Sequence, residues 1–255
     1  MNISYIKERQ LDLQIRYPDR SSDASLKKLK ENNRLEDLLD EHNCDFQNIM
    51  KVKDWVSSKW ENDCKIFKAQ AEKRSIPKTS ESTDDHRGIE YSLILKACLR
   101  SLGFTVRTLF LEPGDHAEEG QRKKHVLFEA YLSDRKKWFL IDPIFDIVVQ
   151  QNEVPLNAVE FQQALVHEEE LELGNTLKLL SSVEYLEWIG PYLFYFTTSL
   201  NKGGGNICSR ILGSKKKLTL VPVGIKPFGK FQKSLKKRNR LITHSIADFY
   251  VAPKS

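Results

Sequence analysis

Two residues carry the chemistry that this sequence offers most openly. His125-Val126-Leu127-Phe128-Glu129-Ala130-Tyr131-Leu132 and Lys136-Lys137-Trp138-Phe139-Leu140-Ile141-Asp142 have the β-branched and aromatic make-up of strands, and Ser133-Asp134 between them reads as a tight turn. Folding about that turn sets His125 opposite Asp142, Val126 opposite Ile141, Leu127 opposite Leu140 and Phe128 opposite Phe139, which keeps the apolar residues in register. An imidazole held by a carboxylate is the orienting half of a nucleophilic triad: the base needs a third group to fix its tautomer and stabilise its charge. What such a pair lacks is a nucleophile.

A nucleophile would be expected on the stretch that precedes these strands. From Gly88 to Leu102 the residues Ile89, Tyr91, Leu93, Ile94, Leu95, Ala97, Cys98, Leu99 and Leu102 leave only a narrow polar stripe, the pattern of a buried helix. Gly103 is suited to close it in the left-handed conformation, and Phe104 through Leu111 then reads as a strand. Asp84 or Asp85 is the expected N-cap. Position 88 would then feel the free N–H groups and partial positive charge of a helix N-terminus, where a cysteine is held as a thiolate. The residue there is glycine.

Taken together, Arg87-Gly88-Ile89-Glu90-Tyr91, the run Leu99-Arg100-Ser101-Leu102-Gly103 into Val106-Arg107, the strand opening His125-Val126 and the strand closing Trp138-Phe139-Leu140-Ile141-Asp142-Pro143 resemble the transglutaminase-like superfamily. The segment Pro155 to Phe161 resembles the bacterial form of that domain. The resemblance covers about residues 45–165. It implies an α+β fold with a papain-like core, a buried helix packed on an antiparallel sheet. It also implies that His125 and Asp142 match the family's base and its orienter, and that Gly88 stands at the nucleophile position. Without sulfur at 88, the family's covalent chemistry has no route.

Other groups near the motif are poorly placed for the missing role. Ser92 lies one turn beyond Gly88, about 6 Å along the axis, and is unassisted; Cys98 is about 15 Å along and turned to another face. Cys64 lies outside the motif. His86 and Glu90, four apart, and Trp60 on a preceding helix are candidate cleft-lining residues by the resemblance. His86 or His116 with His125 would make only a weak metal set, so no metal and no cofactor is expected. Glycine at a helix N-terminus also leaves room, and free N–H groups there can receive a carboxylate or phosphate.

Around this core the chain reads as three regions: a helical lead-in over 1–70, the transglutaminase-like core over 71–170, and a basic, strand-rich C-terminal extension over 171–255. Helices are expected over 25–39, 45–61 and 157–167 and up to 189, with strands over 144–150, about 193–200, 217–223 and 241–251, and polar loops over 70–85 and 112–124. The net charge of +5 hides an asymmetry: residues 201–255 hold 13 Lys and Arg against Asp248 alone, whereas the first 200 residues carry 27 basic and 34 acidic side chains. The simplest role for that tail is docking on the acidic core; nucleic-acid binding is the alternative, without a recognisable recognition motif to accompany the charge. The glycine run 203–205 lacks the Lys-Ser/Thr ending of a phosphate loop.

The four cysteines form no CxxC pair, and no apolar run reaches the roughly 20 residues of a membrane span. Reduced thiols, a cytoplasmic location and no membrane partner are the expectations. The functional expectation is a catalytically inactive transglutaminase-like domain that binds a peptide or protein through its residual cleft. The alternatives are a cysteine-type peptidase, amidase or acyl transferase in which Gly88 is an engineered change or the nucleophile is relocated, and a nucleic-acid-associated module.

Overall fold

A computed structural model of the protein describes residues 3–12, 15, 17, 23–71, 83–114, 124–175, 181–200, 217–225 and 240–253; over 60–71 and 83–90 the description is of the backbone. The fold is α+β. Helix α1 (Ala24–Asn32), a short 3-10 turn (Leu35–Leu38), α2 (Asp45–Ala71) and α3 (Thr83–Ser101) come first. Strands β1 (Val106–Glu112), β2 (His125–Leu132), β3 (Lys137–Asp142), β4 (Ile147–Gln151) and β5 (Val154–Pro155) follow. Then come α4 (Ala158–Val166), β6 (Glu172–Asn175), α5 (Ser182–Ile189), β7 (Tyr195–Ser199), β8 (Lys217–Leu220), β9 (Arg240–Thr243) and α6 (Ile246–Phe249).

The nine strands among the described residues join one sheet in the order β5-β4-β3-β2-β1-β7-β8-β9, with β6 paired to β4. Every pairing is antiparallel except β8 with β9. The strands beyond residue 171 therefore lie on both flanks of those that carry His125 and Asp142.

Because side chains alternate along a strand, one residue pattern builds two cores. Val106, Phe128, Ala130, Phe139, Ile141 and Val148 face Ile49, Val52 and Val56 of α2 and Tyr91, Ile94, Leu95, Cys98 and Leu99 of α3. Their alternates Leu109, Leu111, Leu127, Leu140 and Ile147 face α4, α5 and the terminal segments through Phe161, Tyr185, Ile189, Ile15 and Phe249. Burying a side chain such as Leu95 or Leu99 stabilises the fold by about 1.5–3 kcal/mol.

Local signals account for most element ends. Gly103 takes φ 92°, and the N–H groups of Gly103 and Phe104 donate to the carbonyls of Arg100 and Leu99, so α3 closes in a Schellman motif. Asn157 and Glu160 cap α4 reciprocally, as Ser181 and Glu184 cap α5. Several expectations need correction. The first helix stops at Asn32 because Arg34 enters the left-handed region at φ 49°, and α2 runs on to Ala71. The expected strand over 241–251 breaks after Thr243, where the Ser245 hydroxyl accepts from the Asp248 N–H and starts α6. The expected loop residues 72–82 and 115–123 and the glycine run 203–205 lie outside the described residues.

Both chain termini are fastened to the sheet through buried charge. The Arg107 Nε and Nη2 donate to Glu129 Oε2 at 2.9 and 2.7 Å, and its Nη1 donates to the Phe249 carbonyl at 2.7 Å and the Tyr17 hydroxyl at 3.3 Å. The guanidinium stacks on Trp138, Phe249 and Tyr250 at 4.4–4.8 Å. Glu129 Oε1 accepts from the Tyr250 hydroxyl at 2.9 Å and from the Ala158 N–H at the start of α4 at 3.2 Å. One ion pair thus joins residues from 17 to 250. Replacing Arg107 by Met leaves the Glu129 carboxylate buried without its cation, and urea unfolding is expected to show a loss of about 3–5 kcal/mol; a loss below about 1 kcal/mol would contradict this role.

Candidate functional site

The hairpin of β2 and β3 forms in a register two residues away from that expected. Phe128 pairs with Ile141, Ala130 with Phe139 and Leu132 with Lys137, because a four-residue loop with Lys136 at φ 50° replaces the two-residue turn. A slip of two leaves every side chain on its own face. His125 and Asp142 are therefore diagonal rather than directly opposite, and the His125 Nε2 lies 2.7 Å from Asp142 Oδ2.

Asp142 is wholly buried and meets three donors. Its Oδ2 accepts from His125 Nε2 and from the Tyr185 hydroxyl at 3.0 Å, and its Oδ1 accepts from the Ile144 N–H at 3.0 Å. A carboxylate can only accept, so Nε2 carries a proton, and whenever the ring is neutral its lone pair is on Nδ1. Among the described residues no hydrogen bond falls on Nδ1. Burial, with the neighbouring Asp142 charge and the hydrogen bond to it, drives the Tyr185 phenol well above its ordinary pKa, so it remains a donor.

Helix α5 and the turn after it supply the surroundings. Tyr185 and Trp188, three apart on α5, share a face with Tyr192 of the following 3-10 turn. His125 meets Trp188 edge to face at 4.9 Å between ring centres, with Tyr192 at 6.1 Å and Phe145 at 6.2 Å. Phe145 in turn packs on Trp188 at 4.6 Å and Tyr185 at 5.6 Å. His125 is only 6% exposed, whereas Trp188 is 37% exposed, so the aromatic wall opens to the surface beside a nearly buried imidazole.

The nucleophile segment falls differently from expectation. Helix α3 begins at Thr83, so Asp84 and Asp85 lie inside it rather than capping it, and Gly88 stands in its second turn. There the N–H of residue 88 is within the intrahelical bonding pattern, which removes the free donors that an anion site at Gly88 required. The helix body packs on the face of the sheet opposite to His125 and Asp142. The side chains of His86, Glu90, Trp60 and Cys64 lie outside the described residues, as do His116 and Cys208.

Of the remaining thiols, Cys98 is fully buried with its pKa pushed up to about 12 by burial, which suits core packing, and Cys44 is a half-buried free thiol. Ser92 is half-buried on α3. Among the described residues no Cys, Ser or Thr hydrogen-bonds His125, and no group of three or more His, Cys, Asp or Glu is placed to hold a metal. No helix among them is long and apolar enough to cross a membrane.

Two cations of the basic tail are described, and both sit on the core. Arg240 Nη1 donates to Glu112 Oε1 at 2.9 Å, and the Lys217 ammonium lies 4.1 Å from the Phe110 ring centre. No protein-family model, curated protein or solved structure matches this chain.

Sequence reasoning missed Trp188, Tyr192 and Phe145 as partners of His125 and Tyr185 as a partner of Asp142. The three-and-four spacing of Tyr185, Trp188 and Tyr192 was a usable signal for one aromatic face, but nothing local says which strand that face meets. The buried phenols carry a consequence for pH. Tyr91, Tyr185 and Tyr250 all have pKa values raised chiefly by burial. Below about pH 10 they are protonated folded or unfolded and add no pH dependence; above it only the unfolded chain loses these protons, so stability falls as pH rises. Three such groups remove up to about 4 kcal/mol per pH unit. Absorbance titration should show these phenols ionising together with unfolding; their ionisation near pH 10 in a still-folded protein would contradict the burial argument.

Proposed function

We propose that this chain is a transglutaminase-like protein without its nucleophile, and that the corner formed by His125, Asp142 and Tyr185 binds a segment of peptide or protein. Three features support the family part of this reading: the ordered motifs around Gly88, His125 and Asp142, the helix α3 running into β1, and the hydrogen-bonded dyad on neighbouring strands. Gly88 offers no attacking atom, and the described surroundings of His125 supply no substitute. That favours binding over acyl transfer.

The observation that carries the binding reading is the pairing of Nε2 with Asp142, which leaves Nδ1 as an acceptor next to the partly exposed Trp188. A peptide fits that chemistry. Its backbone N–H donates to Nδ1 while an apolar side chain lies against Trp188 and Tyr192, and aromatic surfaces of this kind bring large contact area at low entropic cost.

Selection of a random peptide display library on the immobilised protein tests this. Enriched peptides should quench the fluorescence of Trp188, seen by comparison with Trp188→Phe, and should bind at least about tenfold more weakly to His125→Ala, a loss of about 1.4 kcal/mol. Absence of enrichment, or equal binding to the His125→Ala and Trp188→Ala variants, overturns the reading. The family reading has its own test in Gly88→Cys: rapid alkylation by iodoacetamide below pH 7 that collapses when His125 is also replaced supports a transglutaminase-like cleft, and an ordinary thiol there counts against it.

A further inference from the structure

A second buried polar network lies beside the first, and the two are joined by a single turn. Asp146 is fully buried and takes φ 57°. Its Oδ1 lies 2.7 Å from Lys53 Nζ, with side-chain exposures of 0% and 1%, and 3.3 Å from both the Ser57 and the Tyr91 hydroxyls. Those two hydroxyls are 2.6 Å apart. Lys53 and Ser57 occupy one face of α2 at a spacing of four, and Tyr91 belongs to α3. Asp142 and Asp146 are therefore the two ends of one five-residue turn, Asp142-Pro143-Ile144-Phe145-Asp146, tied to helices on opposite faces of the sheet. Between them sits Phe145, whose ring packs on His125 and Trp188.

We propose that the Lys53–Asp146–Ser57–Tyr91 network is a positioning device for the binding corner: by fixing the turn in its left-handed conformation at Asp146 it holds Phe145 against His125 and limits access to Nδ1. The proposal rests on the site reading given above. It makes helices α2 and α3, which among the described residues form no hydrogen bond or ring contact with His125, a control on that site. A non-glycine residue at positive φ persists where its surroundings over-determine it, and here an ion pair and two hydroxyls converge on one carboxylate oxygen. Interactions of this kind have two consequences that can be separated. One is stability. The other is the exposure of a particular ring nitrogen, which a purely structural pair would not alter selectively.

The test is the rate at which diethyl pyrocarbonate, which attacks unprotonated imidazole nitrogen, modifies His125, mapped by mass spectrometry with His244 as internal reference. Tyr91→Phe and Ser57→Ala remove single hydroxyls, and the double variant Lys53→Met/Asp146→Asn removes both charges together so that neither is left buried alone. Each should raise the His125 rate by about three- to tenfold while His244, whose Nδ1 lies on the Val221 carbonyl, is unchanged. Phe145→Ala should do the same, and adding Tyr91→Phe to it should change nothing more, because the network acts through that ring. An unchanged His125 rate, a parallel rise at His244, or full additivity with Phe145→Ala would overturn the proposal. No ligand enters this measurement, so its failure is distinguishable from a failure of the peptide-binding reading.

Discussion

A carboxylate cut off from water must have its charge met by donors, and four such groups among the described residues organise this fold. Asp142, Asp146, Glu129 and Asp248 are all fully buried. Asp142 gathers β2, α5 and its own turn; Asp146 gathers α2 and α3; Glu129 gathers β1, the start of α4 and the C-terminal Tyr250. Asp248 accepts from the backbone N–H groups of Gln10 and Leu11 and from the Thr243 hydroxyl. An uncompensated charge at any of these places costs several kcal/mol, so each carboxylate specifies its partners more sharply than an apolar contact would.

This arrangement explains why the site lies where it does. Strand alternation puts His125 and Asp142 on the face covered by α5, while the adjacent residues Val126 and Ile141 turn to the opposite face, where Ile141 joins the core under α2 and α3. The dyad is then enclosed by aromatic rings from a segment more than 40 positions further along the chain, and the turn after β3 connects it to the other layer. A histidine anchored through one nitrogen and walled by rings is held in one orientation, the preorganisation on which the proposed peptide binding relies.

Much of the fold was legible because its signals are local. The strands around His125 and Asp142, the helix opening at Asn157 and the closing glycine at 103 all announce themselves by residue type and spacing. The dyad itself was legible too, since a register error of two preserves faces and brings the same two side chains within reach. What the sequence hid were choices made by tertiary contact. Lys53 sits on the apolar face of α2 at 0% exposure because Asp146, far along the chain, meets it there. Helix α3 starts before the aspartates that looked like its cap.

Nitrogen-15 NMR of the protein labelled in its histidine rings, at a pH where the ring is neutral, tests directly whether Asp142 fixes His125 as a one-sided acceptor. His125 should then show a single tautomer with the proton on Nε2, that proton shifted downfield and slow to exchange, and both features lost in Asp142→Ala. A ring that averages between tautomers as free histidine does, or one that carries its proton on Nδ1, would contradict it.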